Sequence, residues 1–287
     1  MGKRIDGKAI SAEVRARVKE EVTQMKAAGI TPGLAVVLVG DDAASHTYVR
    51  NKKKACVETG IYSEVYTLSA AATQQELMAL VQSLNARPEI DGILVQLPLP
   101  KGLDEDAVIN AIDPTKDVDA FHPSNVGHIM IGDYSFLPCT PAGIMEMLRH
   151  EKIDIQGKRC VVVGRSNIVG KPMVMLLLHA NGTVTVCHSK TRDLAGICRQ
   201  ADILVAAVGK PKFITREMVK PDAVVIDVGM DRDENGKLCG DVDYDAVEPI
   251  ASYITPVPGG VGPMTISMLL QNTLTAARLH HGVTTAR

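Results

Sequence analysis

The stretch CVVVGRSNIVGKPM (160–173) has residue types and spacing that suit anion binding. Cys160 to Val163 read as a short buried strand ending at Gly164, and Gly170-Lys171-Pro172 open a helix. Gly164 lets the chain turn sharply and Gly170 lets the helix pack close to the strand. Arg165, Ser166, Ile168 and Val169 fill the turn, and N–H groups at the helix start would face an anion such as a dinucleotide pyrophosphate. The spacing is G-x-S-x-x-x-G, which departs from the usual glycine fingerprint, so taken alone it also suits any tight strand-to-helix turn. The next strand adds to the case. NAD-binding folds usually carry an acid about 20 residues beyond the glycines, but here His188, Ser189, Lys190, Thr191 and Arg192 follow TVTVC. Cations and hydroxyls suit a 2′-phosphate, which predicts NADP. VGKP (Val208, Gly209) and DVGM (Gly229, Met230) each end a predicted strand, where glycines let backbone approach a cofactor closely.

A second set of residues lies toward the N-terminus. In TYVRNKKKAC, Tyr48 and Lys52 are four apart on a predicted helix and share a face, although RNKKK also reads as a solvated basic face. VQLPLP (95–100) is a strand ending in a proline turn, and KDVDAFHP (116–123) could be a surface loop with a capping Asp. TPVPGGVGPMT (255–265) could be a stiff connector, with an unusual density of Gly and Pro before a helix.

The elements that must position these residues alternate between helical and strand patterns. Ile10, Val14, Val18, Val22 and Met25 recur along one helical face that Gly29 and Pro32 close. LAVVLVG (34–40) and DGILVQLPLP (91–100) read as buried strands. Ser45 is expected to cap a helix running to Gly60, and Thr73 with Glu76 forms a capping box. The segment 112–139, rich in Pro, Asp, Gly and His, reads as long and irregular, and such segments are usually functional. Thr140-Pro141 is expected to cap the first helix of a second α/β series. Strands are expected near 159–163, 183–187, 203–207 and 223–228, then a hairpin at Asn235-Gly236 and a final helix from Pro263 to about His281. The pattern predicts two parallel α/β layers framing a cleft.

Composition narrows the class. The chain has 287 residues, 46% hydrophobic and 22% charged, with net charge −2, which gives no reason to expect nucleic acid or an anionic membrane as partner. Six scattered cysteines form no Cys-x-x-Cys pair, and Cys160 and Cys187 read as small buried hydrophobes. The histidines have no metal-ligand spacing, so no metal is expected. The start, MGKRIDGKAI, has no apolar stretch for a signal peptide, and no apolar run reaches the ~18 residues of a membrane span. A cytoplasmic protein is expected.

Together, YVRNK, DGILVQLPLP, KDVDAFHPSNVG, PCTPAGI, VVVGRSNIVGKP, VCHSKT, DVG and YITPVPGGVGPMT resemble the bifunctional methylenetetrahydrofolate dehydrogenase/cyclohydrolase family, in order over nearly the whole chain. Gly-x-Ser is that family's own nucleotide loop. Ala120 departs from it, because the family usually has Gly after the second Asp, and an alanine would be strained if the backbone there needs φ > 0.

The resemblance implies an N-terminal α/β catalytic domain (1–139 plus 264–287) and a C-terminal Rossmann-type NADP-binding domain (140–263). It implies oxidation of 5,10-methylenetetrahydrofolate with NADP and hydrolysis of the methenyl product to 10-formyltetrahydrofolate. Tyr48, Lys52, Gln96 and Asp119 would be catalytic. Tyr48 would support a folate ring, Lys52 hydrogen-bonded by Gln96 would manage protons, and Asp119 would accept from the pterin's N–H edge. Val95, Leu97, Pro258, Gly259, Gly260, Val261 and Gly262 would complete the folate site. A homodimer through the nucleotide domain is implied by the family alone. Another two-domain dehydrogenase of shikimate or amino-acid type, and a catalytically silent NADP-binding regulator, are the competing readings. Lys52, Gln96 and Asp119 on three separate elements argue against the silent one.

Overall fold

A computed structural model describes residues 2–283 of the chain. In chain order the strands are β1 (Lys3–Arg4), β2 (Gly33–Val39), β3 (Tyr62–Leu68), β4 (Gly92–Val95), β5 (Arg159–Val163), β6 (Thr183–Cys187), β7 (Ile203–Ala206), β8 (Val224–Asp227), β9 (Asp231–Arg232), β10 (Leu238–Cys239) and β11 (Tyr253–Ile254). The helices are α1 (Gly7–Ala27), α2 (Ala43–Thr59), α3 (Gln74–Asn85), α4 (Glu105–Ala111), α5 (Pro123–Ile131), α6 (Cys139–His150), α7 (Gly170–His179), α8 (Leu194–Cys198), α9 (Tyr244–Val247) and α10 (Val261–His280).

These elements form two compact units, one of Glu13–Leu137 with Ile266–Arg287 and one of Met1–Ala12 with Pro138–Thr265. The boundary therefore falls inside α1 and α10. The first twelve residues had been expected with the catalytic domain. They group with the other unit because β1 extends its sheet, Lys3 pairing with Tyr253 and Arg4 with Ile254.

The three-stranded unit has a parallel sheet in the order β3-β2-β4. All of β2 is buried, as expected for a strand covered on both faces. Its Ala35, Val37 and Val39 join Ile93 and Val95 of β4 in a core with Leu77, Val81 and Leu84 of α3. Removing the Val, Leu and Ile side chains among them from water contributes about 1.5–3 kcal/mol each. The capping box is present, Thr73 Oγ1 accepting from Glu76 N at 3.2 Å and Glu76 returning to Thr73 N at 2.7 Å. Asp42, not Ser45, caps α2, its carboxylate accepting from Ser45 N at 2.7 Å. The segment 112–139 is not irregular throughout, since α5 occupies Pro123–Ile131 behind a His122 cap.

The six-stranded unit has the parallel order β1-β11-β8-β7-β5-β6, with β9 and β10 as the expected antiparallel hairpin. The chain runs outward from β5 to β6, then crosses back past β5 to β7. The order reverses between β5 and β7, where open α/β sheets bind ligands beyond their carboxyl ends. Val161, Val163, Leu204, Ala206, Val225 and Ile254 form the core under that edge. α6 begins at Cys139 with Pro138 as its cap and no side-chain cap bond; Thr140 Oγ1 instead lies 3.3 Å from Thr265 Oγ1. Cys160 and Cys187 are buried as expected, and burial pushes the Cys160 thiol up to about 11.

Candidate active site

Asp42 starts α2, and Gly60 ends it in the left-handed region at φ +83°. Tyr48 and Lys52 lie one turn apart on this helix. The basic run is not uniformly solvated: Lys53 and Lys54 are exposed, but Lys52 is only 8% exposed. Its Nζ donates to Gln96 Oε1 at 2.9 Å, the contact expected from the sequence. Gln96 directly follows β4, where its N–H donates to Val37 O at 2.8 Å. Its Nε2 donates to Leu97 O at 2.7 Å, which turns Oε1 toward the lysine. Tyr48 is half-buried, and burial raises its phenol above the ordinary value.

Asp119 reaches the same sheet along the segment that borders β4. Ile93 N donates to Lys116 O at 2.7 Å and Ile93 bridges Asp117 in parallel, so both chains run toward the carboxyl end of β4. Asp117 is 1% exposed and is not a surface cap: its Oδ2 accepts from His122 N and Asn125 Nδ2, both at 2.8 Å. Burial pushes this carboxyl up, while those bonds and the His122 charge pull the other way. Asn272 of α10 donates to Val118 O and to Leu137 O, each at 2.8 Å. Between these anchors Ala120 adopts φ +58° and is fully buried. A left-handed non-glycine residue costs about 1–2 kcal/mol, so the concern over Ala120 is realised, and the strain is held beside Asp119 by surrounding bonds. Asp117, Asn125 and Asn272 were missed in the sequence. Asp117 and Asn125 stood in view in KDVDAFHPSN, whereas Asn272 lies 154 residues from the carbonyl it holds.

In the six-stranded unit, Gly164 leaves β5 at φ +129°. A Cβ there would stand 2.1 Å from Ala207 O, and one on Gly170 would stand 2.4 Å from Gly164 O. Both glycines are required by chain packing. Ser166 Oγ accepts from Val169 N at 3.2 Å and Gly170 N at 3.3 Å, so the serine holds the turn against the first amide of α7, whose N-cap is Val169. The N–H groups of Arg165, Ser166, Asn167 and Ile168 donate to no group among the described residues. Four successive free amides in an exposed turn fit a phosphate.

Beyond β6, His188 N donates to Thr191 Oγ1 at 2.9 Å and Lys190 N to His188 Nδ1 at 3.1 Å. This tight turn leaves the side chains of Ser189, Lys190 and Arg192 exposed. The neighbouring acid, Asp193, faces away into α8, where it accepts from Gly196 N at 3.1 Å. The residues of this unit thus fit a phosphorylated dinucleotide.

Val208, Gly209, Gly229 and Met230 follow β7 and β8 as expected. Gly209 has φ +65° and open space where a Cβ would be, but a Cβ on Gly229 would stand 2.4 Å from Asp241 N. Gly229 is therefore demanded by the protein's own chain. Burial pushes the Asp227 carboxyl up to about 7, opposed by N–H bonds from Val242, Asp241 and Gly229.

Pro258, Gly259, Gly260, Val261 and Gly262 also belong to the six-stranded unit. Gly259 has φ +105°, and a Cβ on Gly7 of α1 would stand 1.8 Å from Gly260 O. Tyr48, Lys52, Val95, Gln96, Leu97 and Asp119 belong to the three-stranded unit, so the candidates divide between the two. Among the described residues no group of His, Cys, Asp or Glu is arranged to hold a metal ion.

The catalytic-domain model of tetrahydrofolate dehydrogenase/cyclohydrolase matches residues 5–119, and the NAD(P)-binding-domain model of the same enzymes matches 138–281. The chain belongs to this family. Members close to it include the Bifunctional protein FolD of Moorella thermoacetica, 63% identical over 96% of this chain and 98% of that one. Among solved structures, the bifunctional FolD of Campylobacter jejuni is 51% identical with TM-score 0.95, covering 97% of this chain and 99% of its own. The Trypanosoma brucei enzyme, solved with NADP cofactor and inhibitor, is 42% identical with TM-score 0.93 over 97% of this chain and 98% of its own. The expected family, its two-domain α/β fold and its dehydrogenase and cyclohydrolase activities are borne out.

Proposed function

We propose that the chain oxidises 5,10-methylenetetrahydrofolate with NADP⁺ and hydrolyses the methenyl product to 10-formyltetrahydrofolate, with Tyr48, Lys52, Gln96 and Asp119 acting on the folate. Lys52 carries this reading. Its amino group is buried and bonded to an amide oxygen, with no carboxylate partner among the described residues. Burying a charge without a counter-charge costs free energy, and functional sites are where folded chains carry such a cost. NADP⁺, when bound, supplies the hydride acceptor. Dehydrogenation leaves positive charge on the two nitrogens flanking the methylene carbon and needs orientation without proton transfer. Tyr48 supports the folate ring, Asp119 accepts from the pterin's N–H edge, and Val95 and Leu97 of the same unit line the remainder. Hydrolysis differs: attacking water loses a proton and a ring nitrogen gains one, and Lys52, oriented by Gln96, moves them.

The three-stranded unit is proposed as the folate domain and the six-stranded unit as the NADP domain. Gly164, Ser166, Ile168, Val169 and Gly170 would hold the pyrophosphate; Arg165, His188, Ser189, Lys190 and Arg192 the 2′-phosphate; Val208, Gly209, Gly229 and Met230 the nicotinamide end. We also infer a cytoplasmic homodimer. Among the described residues no helix is long and apolar enough to cross a membrane. Among the described residues no strand pairs with the outer edge of β6, where Val186 is 44% exposed and Leu178 of α7 is 50% exposed. An open apolar edge of this kind suits a second copy.

The test is an absorbance assay of purified protein with methylenetetrahydrofolate and either NADP⁺ or NAD⁺. Reduced nicotinamide should form faster with NADP⁺, and added methenyltetrahydrofolate should lose its absorbance. Folded protein that reduces neither cofactor overturns the reading.

A further inference from the structure

Asp227 and Asp241 are both buried, at 2% and 0% exposure, and neither has a part in the proposed chemistry. Asp241 Oδ2 accepts from Val208 N at 2.6 Å, and its Oδ1 accepts from Lys210 N at 2.7 Å. One carboxylate therefore grips the amides on both sides of Gly209, the residue held at φ +65°. This turn directly follows β7, whose neighbour Ala207 donates to Val163 O at 2.8 Å beside the Gly164 loop. In a planar trans peptide the carbonyl points opposite to its N–H. With Lys210 N turned inward, Gly209 O faces away from Asp241.

Asp241 is held in turn. Asp227 Oδ1 accepts from Asp241 N at 2.8 Å and Gly229 N at 2.9 Å, and its Oδ2 accepts from Val242 N at 2.9 Å. Asp227 N donates to Thr255 Oγ1 at 2.7 Å, which ties the assembly to the chain after β11. Gly240 and Gly229 are the glycines that admit it: a Cβ on Gly240 would stand 2.0 Å from Asp227 Oδ2. The loops after β7 and β8 are thereby set by two carboxylates behind them.

We propose that Asp241, backed by Asp227, is a positioning residue for NADP⁺, holding the Val208–Lys210 turn in its binding shape before the cofactor arrives. The proposal rests on the NADP-binding reading above. A preformed turn binds without an ordering penalty. Asp241→Asn exchanges one acceptor oxygen for an NH₂ group that faces an N–H, so one of the two grips is lost. If about a tenth of molecules then keep the competent turn, affinity falls about tenfold.

The test is calorimetric titration of parent and Asp241→Asn enzyme with NADP⁺, together with the rate of methenyltetrahydrofolate hydrolysis measured without NADP⁺. The proposal expects an approximately tenfold or greater loss of NADP⁺ affinity with hydrolysis close to parental. Unchanged affinity in a variant whose parent binds NADP⁺ overturns the proposal alone. Equal loss of affinity and hydrolysis overturns it in favour of a general structural role. A folded parent that binds no NADP⁺ removes the underlying reading and the proposal with it. Should the variant not fold, hydrogen exchange of the parent decides the matter. Slow exchange at Val208 and Lys210 amides in the cofactor-free enzyme supports the proposal, and exchange slowed only by NADP⁺ overturns it.

Discussion

Lys52 and Arg165 have opposite environments. Lys52 is buried and bonded to Gln96, whereas Arg165 is exposed in the α7 loop and bonded to no group among the described residues. Lys52→Met keeps the stem and removes the nitrogen. A positioned acid–base group typically contributes 10²- to 10⁴-fold, roughly the loss expected in methenyltetrahydrofolate hydrolysis. Some dehydrogenase activity should remain, so methenyl product should accumulate in the coupled assay. Hydrolysis at the parental rate would exclude Lys52 from the proton transfers. For Arg165→Ala, losing a charge-assisted contact worth about 1.5–3 kcal/mol should weaken NADP⁺ by roughly ten- to a hundredfold. NAD⁺, which lacks the 2′-phosphate, should lose little. Titration with both cofactors checks this, and equal losses would contradict it.

At the scale of elements, β3 was absent from the sequence reading. Its residues YSEVYTL mix aromatic, charged and β-branched types on a half-exposed outer strand, so they show none of the continuous apolar run of β2. What occupies that strand is a polar cluster. Glu64 pairs with Arg87 at 2.7 Å and accepts the hydroxyls of Tyr62 and Tyr66. Arg87 and the two tyrosines hold the Glu64 carboxyl down at about 2, against an ordinary 4.5. A carboxylate whose folded value is depressed contributes stability above its unfolded value, and that stability is lost as pH falls through the folded one. Glu64→Gln should therefore be less stable than the parent near neutrality, and the difference should shrink between about pH 4.5 and 2. Urea midpoints at pH 6 and pH 3 measure it; an identical fall in both proteins would show that the cluster contributes nothing.

For the whole molecule, the open side of β6 is the surface that bears on assembly. The chain mass is 30.7 kDa, so the proposed homodimer should sediment at about twice that value. Replacing exposed Val186 by Lys puts a charge on the unpaired edge, the device that natural sheets use against edge pairing. The variant should sediment as a monomer at concentrations where the parent is a dimer. A Val186→Lys protein that remains dimeric would move the interface elsewhere.

Much of this protein is legible in the chemistry of neighbouring residues alone. Gly164 and Gly170 around an apolar strand, the capping box at Thr73 and Glu76, the Asn235-Gly236 hairpin and the Ile10–Met25 stripe depend on neighbours a few residues away, and each appears as read. The Lys52–Gln96 contact was readable only through resemblance, because its partners are 44 residues apart. Tertiary structure alone decided the rest. Strands β1 and β11 have two residues each and exist only through pairing with each other and with β8, so no local pattern could announce them. That pairing moved the first twelve residues into the six-stranded unit. Gly229 looked like a residue that makes room for cofactor, yet its missing side chain accommodates Asp241. Ala120 could be marked as doubtful from sequence, but its left-handed backbone sits between the local Asp117–Asn125 bond and the Val118 carbonyl, which Asn272 reaches only when a segment 154 residues away packs. A sequence displays the propensities of neighbours, whereas burial and hydrogen-bond satisfaction across a hundred residues are properties of the folded chain.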